Sequence, residues 1–226
     1  MLAASADGSS TQADAALARL CETYWYPLYA FLRSRGSSAE DAQDLTQAFF
    51  ARLLEKRGLA QADPARGRFR SFLLASLKNF VANERDRDQA KKRGGGISVV
   101  PLDIENAEGR FQLEPRTEET PERIFDRGWA LILLDNAVRQ VQAEMTRAGR
   151  DSHFTQLKGY LTGDEPHASY ADAASALNMS EGAVKVAVHR LRRRFRDVVR
   201  REIAQTVSTP DEIDDELRHL WSAVSR

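Results

Sequence analysis

The stretch SYADAASALNMSEGAVKVAVHRLRRRF, residues 169–195, decides the fold class of this chain. Apolar residues recur every three or four positions on both sides of a short polar break, which is the period of amphipathic helices. Asn178-Met179-Ser180 forms the break, and Ser180 is a favourable N-cap for the helix that follows. The pattern predicts a helix-turn-helix. Its inward faces consist of Tyr170, Ala173, Ala174 and Leu177 in the first helix and Val184, Val188, Leu191 and Phe195 in the second.

The second of these helices leaves a polar and basic face outward. This face consists of Gly182, Lys185, Val186, His189, Arg190 and Arg193. Residues 185–201 hold eight Lys or Arg and one acid, and the second helix of such a motif can enter a major groove. An ordinary helical hairpin with solvated arginines is the alternative. The agreement of cap, spacing and basic flank favours a DNA-reading helix.

A second basic run lies far upstream, although the formal net charge of the 226 residues is zero. Residues 66–93 hold nine Lys or Arg against three acids, whereas residues 101–127 hold eight acids against four arginines. Solvated helix faces can explain either basic run alone. Two basic helices separated by an acidic segment indicate a polyanion that is contacted at two places.

Apolar periodicity along the rest of the chain predicts an all-α fold with two small helical domains joined by a flexible linker. Pro27 is expected to end or kink the first helix, and a short strand is expected at residues 98–102. The predicted segments are a disordered N-terminus at 1–12, a first domain at 13–96, an acidic linker at 97–127, a second domain at 128–207 and a helical extension at 208–226.

The composition argues against an enzyme, a metal site or a cofactor. The four histidines lack metal-ligand spacing, and the lone Cys21 allows no internal disulfide. No apolar run approaches the roughly 20 residues of a membrane span. The first residues lack a basic stretch followed by an apolar one, so a cytoplasmic location is expected.

Three segments, in order along the chain, resemble the sigma-70 family of bacterial transcription initiation factors, in its extracytoplasmic-function (ECF) group. SEGAVKVAVHRLRRRF resembles the DNA-reading helix of region four. DAQDLTQAFFARLLEK, residues 41–56, resembles the region-two helix that docks on the polymerase clamp. RFRSFLLASLKNFVANERDR, residues 68–87, is similar to the adjoining promoter-melting helix. The resemblance covers residues 16–93 and 129–203.

The resemblance implies a non-enzymatic sigma factor whose partners are core RNA polymerase and promoter DNA. The residues implied at the clamp are Asp41, Asp44, Gln47 and Phe50. Those implied at the minus-ten element are Asn79, Asn83, Arg85 and Arg87, with the loop 58–68 helping to hold an unstacked base. Those implied at the minus-thirty-five element are Gly182, Lys185, Val186, His189, Arg190 and Arg193. The linker is expected to thread towards the polymerase active site and RNA exit.

The chain departs from the family pattern at two places. Ala48 stands where an acid is usual, and Val186-Ala187 stand where a hydroxyl and an arginine are common. Phosphorylation of Thr46 would restore negative charge beside the aspartates, so a Ser/Thr kinase is a candidate partner. An anti-sigma factor is another, although no residue indicates one.

Two further alternatives remain open in the sequence. The chain could be a stand-alone helix-turn-helix regulator with an N-terminal ligand-binding or dimerisation domain. The amphipathic segment 210–224, with acids in its first turn, could fold back on a basic helix. Packing against the second domain is the favoured expectation.

Overall fold

The computed structural model describes residues 7–55, 68–90, 104–113, 119–162, 169–207 and 209–225. These residues contain ten helices and no strand, which confirms the all-α prediction. The helices are α1 (Asp7–Ser34), α2 (Ala39–Glu55), α3 (Phe69–Ala90), α4 (Ile104–Leu113), α5 (Pro121–Arg147), α6 (Asp151–Leu157), α7 (Gly159–Thr162), α8 (Tyr170–Leu177), α9 (Glu181–Ala204) and α10 (Pro210–Val224).

The helices divide into two compact units. The N-terminal unit is Met1–Leu131 together with Thr206–Arg226, and the helix-turn-helix unit is Ile132–Gln205. The division falls inside α5, and the chain returns to the N-terminal unit after α9. No helix in the described part of the chain is long and apolar enough to cross a membrane.

Pro27 was predicted to end or kink the first helix; α1 continues through it, so the proline does not end the helix. A proline inside a helix costs about 3 kcal/mol, because it lacks one hydrogen-bond donor and crowds the preceding turn. Here every residue from 24 to 32 is buried, and Trp25 stacks on Tyr29 with ring centroids 5.4 Å apart. Burial of this aromatic segment offsets the cost of the proline.

Helices α2 and α3 pack through the apolar faces that the sequence predicts. The Ser38 hydroxyl caps α2 by accepting a hydrogen bond from the Asp41 amide at 3.0 Å. The rings of Phe49 and Phe80 lie 5.8 Å apart between α2 and α3, and Leu77 is fully buried. The two helices are therefore held in a fixed register by aromatic contact.

Part of the segment expected to be a linker is helical. Helix α4 lies within it, and α5 begins at Pro121, inside the segment predicted to be linker. The Glu108 carboxylate on α4 accepts hydrogen bonds from Arg33 at 2.8 and 3.0 Å and one from the Tyr29 hydroxyl. These bonds lower the pKa of Glu108 to about 2, with the Arg33 bond contributing most. Glu108, one of the acids that indicate a solvated linker in the sequence, is here a partner of Arg33 on α1.

Helix α10 has the predicted bounds but not the predicted neighbours. It was expected to pack against the second domain, whereas it belongs to the N-terminal unit, where Glu216 pairs with Arg70. Of the two alternatives left by the sequence, folding back on a basic helix is the one observed. The expected strand at residues 98–102 lies outside the described residues.

The helix-turn-helix unit has the local structure that residues 169–195 predict. Ser169 and Asp172 form a reciprocal capping box at the start of α8, and the Ser180 hydroxyl accepts from the Ala183 amide at 3.2 Å. Asn178, with φ +52°, ends α8 in the left-handed conformation that asparagine tolerates. Tyr170 and Leu177 are only half-buried, whereas the other six predicted inward residues are buried.

Candidate protein-docking and nucleic-acid interfaces

The exposed face of α2 carries two of the residues implied at the clamp. Asp41 and Asp44 are exposed and lie three positions apart, so they share one side of the helix. Gln47 is half-buried on the same side, and Ala48 is also half-buried. This part of α2 presents two carboxylates in positions suited to basic side chains of a partner.

Phe50 does not belong to that exposed face. Its side chain is 1% exposed and lies in the core of the N-terminal unit, with its ring 5.9 Å from that of Phe49. Phe50 therefore packs in the core beneath α2 and does not lie on the exposed face of that helix.

Thr46 is also buried, which argues against the phosphorylation hypothesis. The side chain is 0% exposed, and its hydroxyl donates a hydrogen bond to the Ala42 carbonyl at 2.6 Å. A buried hydroxyl that bonds to the carbonyl one turn back is neither accessible to a kinase nor directed towards a partner. Thr46 lies in the stripe of Ala42, Phe49 and Leu53, all of which are buried.

Helix α3 presents the two asparagines implied at the minus-ten element. Asn79 and Asn83 are exposed and four residues apart, hence on one side of the helix, while Leu77 and Val81 are buried. Each amide has donors and an acceptor that can pair with a base edge. Arg85 and Arg87 belong to α3, but their side chains lie outside the described residues, as does the loop 58–68 except for Arg68.

Helix α9 presents all of the residues implied at the minus-thirty-five element. Gly182, Lys185, Val186, His189, Arg190 and Arg193 are exposed, as predicted from the period. Val186 is 50% exposed, which is unusual for a large apolar side chain. The Lys185 ammonium lies 5.4 Å from the centre of the Tyr170 ring, a contact that orients it at the surface.

Other arginines of α9 serve the packing of the unit. Arg194 donates two hydrogen bonds of 2.6 Å to the Glu144 carboxylate on α5, and these lower the pKa of Glu144 below its usual range. Arg192 donates to the Tyr160 carbonyl at 2.9 Å. The basic run of α9 therefore divides into an exposed set and a structural set.

A groove of about 760 Å³ lies beside the exposed face of α9. Its walls include Val141 and Met145 of α5 and Leu157 of α6, and its α9 side includes Val186 and Arg190. Three residues of the predicted reading face, Gly182, Val186 and Arg190, thus border an apolar groove of the same unit.

The sequence did not identify Glu216 and its arginines. Glu216 is 1% exposed and pairs with Arg70 and Arg68 at the start of α3. A signal was present, because Glu216 falls in the apolar stripe of Ile213, Leu217 and Leu220. A carboxylate in an apolar stripe needs a buried cationic partner.

One comparison with known proteins bears on the surfaces of α2 and α3. Residues 20–91, from the second half of α1 through α3, match the model of the family described as sigma-70 region 2. These residues are therefore similar to a sigma-70 region 2 domain, and the similarity supports a sigma-factor role in promoter recognition. No curated protein sequence and no solved structure gives a significant match.

Proposed function

We propose that this chain is a sigma factor of the ECF group, which binds core RNA polymerase and directs it to promoters. It has no catalytic role of its own in this proposal. The observation that carries the proposal is the exposed pair Asn79 and Asn83 on α3, inside the segment that matches sigma-70 region 2. Its partners place its action in the bacterial cytoplasm.

Docking on core polymerase is assigned to the acidic face of α2. Asp41 and Asp44 are exposed there, and charge-assisted hydrogen bonds to lysines or arginines of the clamp would hold the helix. Gln47 lies at the edge of this face.

Opening of the promoter is assigned to α3. Taking a base out of the stack costs a few kcal/mol, and side chains that pair with its edge offset that cost. Asn79 and Asn83 are exposed amides with suitable donors and acceptors. Arg85 and Arg87, later in the same helix, would hold the backbone.

Recognition of the upstream element is assigned to the exposed face of α9. Lys185, His189 and Arg190 supply polar contacts to base edges or phosphates, and Arg193 lies further along the helix. Val186 supplies an apolar surface where family members carry a polar residue. The promoter sequence of this factor should therefore differ from theirs at the base that meets residue 186.

Run-off transcription with purified core polymerase tests the proposal. Genomic fragments are transcribed with and without the protein, and promoters are identified from the transcripts that require it. Asp44→Arg should abolish assembly with core polymerase while the helix content by circular dichroism stays unchanged. Glu22→Arg, which reverses an exposed charge on α1, is the matched control and should assemble normally.

The stand-alone regulator makes the opposite prediction. Such a protein would protect a DNA site from nuclease without polymerase and would not co-purify with core enzyme. Normal assembly by Asp44→Arg would remove the assignment of α2, and the absence of any protein-dependent transcript would overturn the proposed function.

A further inference from the structure

The groove beside α9 is lined by apolar side chains from three helices of the helix-turn-helix unit. Val141 and Met145 lie one turn apart on α5, Leu157 lies on α6, and Val186 and Leu191 lie on α9. Its volume of about 760 Å³ falls within the range of roughly 300–1,000 Å³ that is usual for small-molecule sites. The groove therefore has the size and the apolar walls of a ligand site.

The charged side chains of the groove leave it with a surplus of positive charge. Among the described residues that line it, Glu144 is the one acid, and Arg194 neutralises it through two hydrogen bonds of 2.6 Å. Arg150 and Arg190 also line the groove, are exposed, and have no acidic partner among the described residues. Such guanidinium groups beside apolar walls suit a ligand that has an apolar body and an anionic head.

A histidine that lines the groove has an unsatisfied polar atom. Nδ1 of His153 is buried and has no hydrogen-bond partner among the described residues, and a buried polar atom without a partner costs free energy. An imidazole nitrogen that carries a hydrogen can donate it to a carboxylate. An anionic head at this position would therefore satisfy an atom that the described side chains leave without a partner.

The groove shares residues with the face of α9 that is assigned to the upstream element. Gly182, Val186 and Arg190 line the groove and also belong to that exposed face. A guanidinium group that binds a carboxylate is less available to a phosphate or to a base edge. A ligand in the groove and DNA on the face would therefore compete for the same side chains.

We propose that the groove binds a small amphipathic carboxylate, and that the bound ligand weakens recognition of the upstream element. The apolar body of the ligand packs against α5, α6 and α9, and its carboxylate pairs with the guanidinium groups of Arg150 and Arg190. The binding site stands independently of the proposed function, whereas the effect on recognition rests on it.

Methionine methyl groups report directly on occupancy of the groove. The chain has three methionines, and two of them, Met145 and Met179, line the groove. The full chain, labelled with carbon-13 at the methionine methyl groups, is titrated by NMR with decanoate below its micelle concentration. The two signals are assigned with Met145→Leu and Met179→Leu, and in the wild type both should shift along one saturable curve. Octanoate should bind about tenfold more weakly, because two fewer methylene groups are buried.

A neutral ligand and three variants test the role of the charged and polar groups. Decanol should bind at least about tenfold more weakly than decanoate, because it lacks the charge. Arg150→Glu should weaken decanoate binding about fivefold, the upper range for an exposed charge pair. Its matched control is Arg147→Glu, which reverses an exposed charge on α5 outside the groove and should change binding by less than about twofold. His153→Phe should weaken the binding of decanoate but not that of decanol.

Three outcomes of the titration would overturn the binding site. They are no shift of either methyl signal, equal binding of decanol and decanoate, and equal effects of the two arginine variants. If the methyl signals respond to core polymerase but not to decanoate, the groove is a protein-docking surface and the ligand proposal is wrong.

Run-off transcription tests the effect on recognition. Decanoate that fills the groove should lower transcription by the wild-type holoenzyme about fivefold or more, the loss expected when one base contact is removed. The Arg150→Glu holoenzyme should need about fivefold more decanoate for the same inhibition, and Arg147→Glu should respond as wild type does. Unchanged transcription with an occupied groove would overturn the effect on recognition. If no transcript depends on the protein, the proposed function is wrong, while the methyl titration still decides the binding site.

Discussion

The two basic helices α3 and α9 carry similar runs of arginine, yet the arginines have different surroundings. Arg70 at the start of α3 is buried between Glu216 and Asp126, which are 146 and 56 residues away in sequence. Arg190 and Arg193 of α9 are exposed. The comparison shows that the fold pairs some charges of a basic run with acids and leaves others exposed, and only the exposed charges are candidates for contact with DNA.

Replacing the buried Arg70 is expected to have the largest effect on the free energy of unfolding. Arg70→Ala leaves Glu216 and Asp126 without their main cationic partner, so the free energy of unfolding should fall by about 3–5 kcal/mol. Arg193→Ala, the exposed control, should change it by less than about 0.5 kcal/mol. Urea unfolding followed by circular dichroism measures both.

A double variant separates the buried charge from the loss of packing. In Arg70→Leu with Glu216→Leu no unpaired carboxylate remains at α10, so much of the stability should return. Equal and small effects of Arg70→Ala and Arg193→Ala would mean that the ion pairs do not form in solution.

The sequence predicts helices better than it predicts their neighbours. The bounds of α10 and the Ser180 cap of α9 follow from local chemistry, and both predictions agree with the structure. Periodicity shows that α10 has a buried face but not what covers it. The contact with Arg70 depends on residues distant in sequence, and no local pattern specifies it.

The Thr46 hypothesis and the linker prediction both disagree with the burial and helices observed, for different reasons. Thr46 falls four residues after Ala42 and three before Phe49, so the period already placed it on the buried stripe. The phosphorylation hypothesis rests on the charge that a phosphate would add at Thr46. It does not take into account the apolar period, which places Thr46 on the buried side of α2. Helix α4 was missed because its acids indicate a solvated linker, and only the fold shows that Glu108 has Arg33 as its partner.

Exposed residues of α9 should affect promoter recognition rather than stability. Lys185→Ala and His189→Ala should each weaken recognition of the upstream element by about 1–3 kcal/mol, if each contacts a base edge. Arg193→Ala should instead weaken binding evenly across sequences. Holoenzyme binding to promoter variants with single base changes measures the difference, and a uniform loss from all three variants would mean that the reading face is misplaced.

The Glu108 contact extends the comparison to a second neutralised arginine, Arg33. Hydrogen bonding, chiefly to Arg33, holds the Glu108 pKa at about 2, below its ordinary value of 4.5. A carboxyl with a lowered folded pKa stabilises the fold above its unfolded pKa, and that contribution is lost as the pH falls from about 5 towards 2. Glu108→Gln should therefore cost about 1–2 kcal/mol near pH 7.

The measurement is the difference in unfolding free energy between wild type and Glu108→Gln as a function of pH. This difference should shrink below pH 5, because Glu108 of the wild type becomes protonated. Other carboxyls titrate in both proteins, so their contributions cancel in the difference. A difference that stays constant down to pH 2 would show that the carboxylate charge is not what holds α4.

Val186 has the smallest expected effect and tests how far exposure alone identifies a reading residue. It is 50% exposed on α9 beside Lys185, and an apolar side chain in a major groove can contact the methyl group of thymine. Val186→Ala removes the two γ-methyl groups that would contact the base. The preference for thymine over other bases at that position should therefore fall by about 1 kcal/mol. Replacing the contacted thymine with uracil, which lacks the methyl group, should weaken promoter binding by the wild type by a similar amount and leave binding by Val186→Ala unchanged.

Val186 also borders the apolar groove, so an effect of the same variant through that groove is the competing explanation. In that case the loss would be equal for thymine and uracil promoters, and Val186 would be a packing residue rather than a reader of sequence.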